Sequence, residues 1–164
     1  MIRKRQRNTC VNERLDLARR IYEAAHIVGS FKLRSGITSH EYFDKYRFES
    51  DPDLLFKVTF ALKDLVPADV ELLASLELGG IPIATLLGQL TRLPVVFVRK
   101  RAKDYGTCRQ AEGADISRKR IVVIEDIITS GGQILESVES LRALGAVVDG
   151  NAGARRSAIL ARPS

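Results

Sequence analysis

Ile121-Val122-Val123-Ile124-Glu125-Asp126-Ile127-Ile128-Thr129-Ser130-Gly131-Gly132-Gln133 is the stretch on which the fold turns. Four apolar residues run up to two adjacent acids, and two more apolar residues follow. Thr129-Ser130-Gly131-Gly132 then leads into QILESVESLRALGA, where Ile134, Leu135, Val138, Leu141 and Leu144 recur at helical spacing. This reads as a buried strand, a turn and an amphipathic helix. In open α/β sheets, ligands bind beyond the carboxyl ends of the strands, where this turn lies. A helix N-terminus leaves backbone N–H groups unpaired and glycine lets the backbone come close, so a phosphate can be cradled there. Thr129 and Ser130 add hydroxyl donors. Two carboxylates just before such a cradle suit the neutral hydroxyls beside a phosphate, as on a ribose. The same residues would also make an ordinary strand-to-helix turn with Thr129 or Ser130 as N-cap and two solvated acids. No GK[ST] follows and no GxGxxG occurs, so neither a Walker loop nor a dinucleotide fingerprint is present.

Upstream the same grammar repeats. VELLASLEL (70–78) is an apolar strand, and Gly79-Gly80 leads into the helix IPIATLLGQL. LPVVFVRK (93–100) is a second buried strand, followed by a polar stretch over 101–119 with Gly106 and Gly113. Downstream, Gly145 ends the last helix and AVVD (146–149) starts a fourth strand. Continuous apolar strands with crossover helices predict an α/β fold whose parallel sheet is buried on both faces. Nearer the start, residues 11–28 place Val11, Leu15, Ala18, Tyr22 and Ala25 at helical spacing, with Gly29 as the stop. Residues 30–48 alternate and are rich in aromatic and turn residues, which predicts short strands around Ser35-Gly36. Asp51-Pro52 opens another helix with Leu54, Leu55, Val58, Leu62 and Leu65 on its buried face. The last fourteen residues, NAGARRSAILARPS, are small, basic and nearly aperiodic. The expected organisation is therefore an N-terminal part (1–68), an α/β core (69–150) and an atypical basic tail (151–164).

The chain has 164 residues, 45% hydrophobic and 28% charged, enough for a real core and against general disorder. No apolar run approaches the ~20 residues of a membrane helix, and no apolar segment follows the basic start, so neither a span nor a secretory leader is expected. Cys10 and Cys108 lie far apart without a CxxC pair or partner histidines, which points to a reducing compartment, against a disulfide scaffold or zinc site, and to a cytoplasmic protein. The net charge of +6 is uneven: residues 1–20 hold seven basic and two acidic groups, and 151–164 hold three arginines and no acid. The remaining body is slightly acidic, whereas a nucleic-acid binder carries its basic footprint on the folded body.

The apolar run, Glu125-Asp126, spacer and TSGG together resemble the phosphoribosyl-pyrophosphate (PRPP) motif of type I phosphoribosyltransferases. Arg99-Lys100-Arg101-Ala102-Lys103-Asp104-Tyr105-Gly106, reaching to Glu112-Gly113, is similar to the mobile catalytic loop of the orotate phosphoribosyltransferases. Ser30–Gly36, continuing through Ser39 and Tyr42-Phe43-Asp44, resembles that family's base-binding hood, and Gly79-Gly80-Ile81-Pro82 its pyrophosphate loop. The resemblance spans roughly residues 12 to 149, in the family's order. Four cations between Arg99 and Lys103 repel one another unless an anion such as pyrophosphate neutralises them, and flanking glycines suit a lid that orders on binding. Taken alone, the same run would be a solvated basic loop or a nucleic-acid patch, Gly79-Gly80 a tight turn, and Tyr42 and Phe43 core aromatics. His26 and His40 have no evident partners and are assigned to structure or surface, and Cys108 to an incidental place in the lid.

The resemblance implies transfer of phosphoribose from PRPP to orotate with Mg²⁺, giving orotidine 5′-monophosphate and pyrophosphate in pyrimidine biosynthesis. It places the 5′-phosphate on Thr129, Ser130, Gly131, Gly132 and Gln133, reached through Ile127 and Ile128, and the ribose hydroxyls on Glu125 and Asp126. Pyrophosphate falls to Arg99, Lys100, Lys103 and Tyr105 with Gly79 and Gly80, and the base to Arg34, Tyr42, Phe43 and Thr129. Lys103, Asp126 and Glu125 are the implied catalytic groups. No direct protein ligand set for the metal is implied: Mg²⁺ would be held mainly by substrate, near Glu125 and Asp126. A homodimer is implied too, with Arg99, Lys103 and Tyr105 serving the neighbouring subunit's site. The chain departs from the family's pattern in three places: Tyr105 stands for a histidine, Leu78-Gly79 for Tyr-Lys, and no Asp-Arg pair follows Val148-Asp149-Gly150. The last leaves two alternatives open, transfer to another base, or a regulatory protein that binds PRPP or a nucleotide without turnover.

Overall fold

A computed structural model of the chain describes residues 2–33, 35–127 and 132–148. They fall into two compact units divided between Val58 and Thr59.

The first unit opens with α1 (Ile2–Ala25). Its buried row is Ile21 and Ala25 with half-buried Leu17 and Ala24, while Leu15 is 64% exposed, so the expected stripe through Leu15, Ala18 and Tyr22 faces away from the unit's core. The helix stops at Ala25 rather than at Gly29, because from His26 onward the chain finds a strand partner. β1 (His26–Lys32) pairs antiparallel with β2 (Thr38–Phe43), from His26↔Phe43 to Lys32↔Thr38. Gly29 lies in a bulge between Val28 and Phe31, where a Cβ would come within 3.0 Å of the Phe31 ring. Its role is room for the bulge, not a helix stop. The turn joining the strands is closed by the Gly36 N–H donating to the Leu33 carbonyl at 2.9 Å, and Gly36 takes φ +88, a conformation glycine adopts freely.

A short helix that the sequence reading missed, α2 (Lys45–Glu49), begins where the Asp44 carboxylate accepts the Tyr46 N–H, and it buries Phe48. α3 (Pro52–Lys63), whose last five residues belong to the second unit, starts as expected. Asp51 accepts the N–H groups of Asp53 (2.9 Å) and Leu54 (3.1 Å), and Pro52 occupies a position where a missing N–H costs nothing. Leu54, Val58, Thr59 and Leu62 are buried; Leu55 is half-buried, and Leu65, placed on this face by its spacing, lies beyond the helix end and is exposed.

The second unit is a four-stranded sheet in the order β5-β4-β3-β6. β3 (Leu72–Leu76) is central and buried at every position; it pairs parallel with β4 (Val95–Val98) and β6 (Ile121–Ile124). β5 (Ala111–Gly113) adds an antiparallel edge to β4, so the sheet is mixed, mostly parallel. The expected fourth parallel strand survives among the described residues as one bridge, Arg120↔Val147. Leu72, Ala74, Leu76, Val96, Val98, Ile121 and Val123 share a core with Ile134, Val138 and Leu141 of α5 (Gly132–Ala143). Leu135 and Leu144, assigned to that face from the sequence, are 65% and 46% exposed. α4 (Gly80–Thr91) buries Ile83, Ala84 and Leu87 and packs on β3, β4 and β6. No described helix is long and apolar enough to cross a membrane.

Candidate active site

The carboxyl ends of β3, β4 and β6 lie side by side, because Leu76 pairs with Val98 and Ser75 with Ile124. This edge brings together three segments singled out in the sequence: Glu77–Gly80, the stretch after Val98, and Glu125–Ile127. The Glu77 N–H donates to the Val98 carbonyl at 3.0 Å, tying the first two. The first and third are in direct contact. A Cβ on Gly80 would stand 2.5 Å from the Ile124 carbonyl oxygen and 3.7 Å from the Glu125 Cα. Glycine at this position is thus a packing requirement between the start of α4 and the end of β6, a stronger reason than a tight turn, since Gly79 itself has ordinary helical angles.

Of the acidic pair, Asp126 is 1% exposed and Glu125 is half-buried. The apolar strand behind them, buried on both faces, fixes the backbone that carries them. Ile127 is half-buried beside them, and Gly132 begins α5. Ile128, Thr129, Ser130 and Gly131 lie outside the described residues, as does the Gln133 side chain, and Arg34 does too. Among the described residues, no three His, Cys, Asp or Glu side chains gather as a metal-ligand group.

The arm after β4 is held shut at its base. The Arg99 N–H donates to the Gln110 carbonyl (2.9 Å), the Gln110 amide donates to the Arg99 carbonyl (3.2 Å), and the Lys100 N–H donates to the Glu77 carboxylate (2.8 Å). β5 then continues the arm's return leg along β4. Beyond this clasp the tip is exposed; Gly106 and Cys108 take φ +63 and +51 in a tight turn closed by the Cys108 N–H on the Tyr105 carbonyl.

Lys103 is the exception in this exposed arm, its side chain only 17% exposed. It forms an ion pair with Glu112, and its ammonium sits 5.3 Å from the centre of the Tyr105 ring. The Arg99 guanidinium approaches the same carboxylate at 3.8 Å, and the Thr107 hydroxyl donates to its other oxygen at 2.9 Å. The Lys103 hydrogen bond, the Thr107 hydrogen bond and the two positive charges hold the Glu112 carboxyl below its usual pKa, against the opposing effect of partial burial. Sequence reasoning counted the cations of this arm but missed their internal counter-ion. It also missed Glu77 as a brace; the only signal was an acid placed directly after an apolar strand.

In the first unit, Tyr42 is half-exposed with its ring against Phe31 (5.4 Å between centroids), and Phe43 is half-buried. His26, read as lacking partners, has two: its Nε2 lies 2.9 Å from the Glu41 carboxylate, and Tyr22 stacks on its ring at 4.5 Å.

No family model matches the chain. It is 50% identical over 133 residues to the orotate phosphoribosyltransferase of Nocardioides sp., covering 81% of this chain and 74% of that protein. To the enzyme of the same name from Halobacterium salinarum it is 40% identical over 121 residues, 74% of this chain and 69% of the relative. Among solved structures, the orotate phosphoribosyltransferase of Aeropyrum pernix superposes with a TM-score of 0.69 at 31% identity, covering 80% of this chain and 76% of that one. That of Mycobacterium tuberculosis, in complex with Fe(III) dicitrate, gives 0.70 at 27% identity over 84% and 81%. With identity this high over most of both chains, and the type I phosphoribosyltransferase fold beneath it, the protein belongs to the orotate phosphoribosyltransferase family.

Proposed function

We propose that this chain performs its family's reaction at the carboxyl edge of β3, β4 and β6, with the residues named from the sequence in the following roles. The bond from C1′ of the ribose to pyrophosphate breaks, the electron pair leaving with the pyrophosphate. The bond from C1′ to N1 of orotate forms, and that nitrogen gives up its proton. The ribose ring carries positive charge in between, so the protein's work is to hold the reactants in line and to meet developing charge. The observation that carries this reading is the joint of Gly80 on Ile124 and Glu125, which puts a glycine loop and a buried carboxylate, Asp126, at one edge.

Asp126 and Glu125 take the ribose hydroxyls and favour the cationic ring. Thr129, Ser130, Gly131, Gly132 and Gln133 take the 5′-phosphate. Arg99, Lys100 and Lys103, with Tyr105, Gly79 and Gly80, take the leaving pyrophosphate, and Arg34, Tyr42, Phe43 and Thr129 the base. Mg²⁺ would be held mainly by substrate oxygens and water near Glu125 and Asp126, whose negative charge favours a hard divalent cation close by. When bound, Mg²⁺ neutralises charge on the pyrophosphate and makes it a better leaving group. A homodimer whose lids serve each other's sites, in the cytoplasm where phosphorylated sugars are retained, belongs to the same proposal.

Incubation with PRPP, Mg²⁺ and a panel of bases tests it. Orotate consumption with stoichiometric pyrophosphate release is expected. Consumption of a different base, the reading favoured by the absence of an Asp-Arg pair after Gly150, would overturn the orotate assignment. PRPP binding without pyrophosphate release would overturn catalysis.

A further inference from the structure

The lid carries its own anion. Arg99, Lys100, Arg101 and Lys103 crowd four positive charges into five residues, yet the two that are partly shielded from water, Lys103 and Arg99, converge on one carboxylate, Glu112. Glu112 is well placed to hold a fixed position. It stands on β5, paired opposite Phe97 of β4, so its backbone belongs to the sheet while Lys103 belongs to the arm's tip. Its second oxygen is occupied by Thr107, also on the tip. One sheet-anchored carboxylate therefore gathers both ends of the exposed turn.

We propose that Glu112 is a positioning residue that parks Lys103 and Arg99 between turnovers and yields them to pyrophosphate, one anion exchanging for another. This rests on the reading of Lys103 as a pyrophosphate-binding group. A lysine ammonium has three donors on a flexible stem and can trade one anion for another by rotation alone. An ion pair at a partly exposed site is weak enough to be displaced, whereas pyrophosphate with several negative charges offers the cluster a stronger field. The parked pair keeps the lid from a self-repelling, extended state. In exchange, it competes with the ligand, so its removal should tighten pyrophosphate binding rather than weaken it.

The test uses the full chain with pyrophosphate and Mg²⁺ in titration calorimetry, comparing the parent, Glu112→Gln, Lys103→Ala and the double variant. Glu112→Gln keeps the shape and an acceptor for Thr107 while removing the charge. The expected result is a dissociation constant lowered about two- to five-fold in Glu112→Gln, the range for partly exposed pairs, and no such gain when Lys103 is already alanine. Trypsin cleavage within the lid of the ligand-free protein should quicken in Glu112→Gln and be suppressed by pyrophosphate. Weaker or unchanged binding in Glu112→Gln, alongside a loss in Lys103→Ala, overturns the parking role alone. A full gain persisting in the double variant also overturns it, since Glu112 would then act by direct repulsion. Unchanged binding in Lys103→Ala overturns the reading of Lys103 itself.

Discussion

The two arms that line the sheet's carboxyl edge are built on opposite principles. The joint between α4 and β6 is made of backbone against backbone, with Gly80 so close to Ile124 that no side chain fits, and with Asp126 almost entirely out of water. The arm from Arg99 to Gly113 is made of side-chain charge on an exposed turn, clasped at its base by Gln110 and Glu77 and held at its tip by the Glu112 carboxylate. Close packing tolerates no adjustment, because interiors resist even small changes in volume. Ionic contacts on a turn can be exchanged. The site proposed at this edge, which would hold a sugar phosphate fixed and still let pyrophosphate in and out, has use for both.

This contrast sets the order of expected effects. Gly80→Ala should be the most damaging: its Cβ can be placed only by moving the Ile124 carbonyl. Activity should fall about 100-fold or more, the scale of small misplacements in a preorganised site, with a stability loss of about 1–3 kcal/mol from overpacking; kcat/KM and thermal melting measure the two. An unaltered enzyme would mean that the two segments do not need their contact. Lys103→Ala should reduce kcat about 100-fold and weaken PRPP binding by much less, because its contact, though present in the ground state, matters chiefly with the lid closed. Equal losses in both would make the arm a ground-state binding element instead. Asp126→Asn should cost about 10-fold in each of kcat and KM, since the proposed carboxylate meets the ribose hydroxyls in the ground state and, in addition, the positive charge of the ring in the transition state. An unaffected Asp126→Asn enzyme would move the sugar elsewhere.

The smallest effect concerns pH. The Glu112 carboxyl lies below its usual range chiefly through the Lys103 hydrogen bond. Its contribution to lid order is therefore complete above the unfolded glutamate value of about 4.3 and is lost as pH falls through the lower folded value. Protection of the lid amides, taken relative to their intrinsic exchange rates, should fall across that acidic window while the α4–β6 joint stays protected. Simultaneous opening of both would show the arms to be one cooperative unit.

The parallel sheet was legible in the sequence because strands buried on both faces leave an unbroken apolar run, as in Leu72–Leu76 and Ile121–Ile124. Helix faces were legible only in part. Ile134, Val138 and Leu141 are buried, but periodicity alone could not tell that the stripe is too narrow to include Leu135. The end of α1 was misjudged because glycine serves a bulge as well as a helix stop, and only the pairing of His26 with Phe43 decides between them. Short elements such as α2 and β5 carry too few residues to show a period. The position of Glu125 and Asp126 at the sheet's carboxyl edge was legible because they follow an apolar strand directly. Glu112 was not recognised as the lid's counter-ion, since nine residues and a turn separate it from Lys103 and only the fold brings the charges together.

Hydrogen exchange with and without PRPP and Mg²⁺ tests the location of the site most directly. Protection should appear in residues 77–81, 99–113 and 125–133, the segments that follow β3, β4 and β6. Protection at the opposite end of the sheet, around Glu71 and Lys119, with those three segments unchanged, would contradict the account.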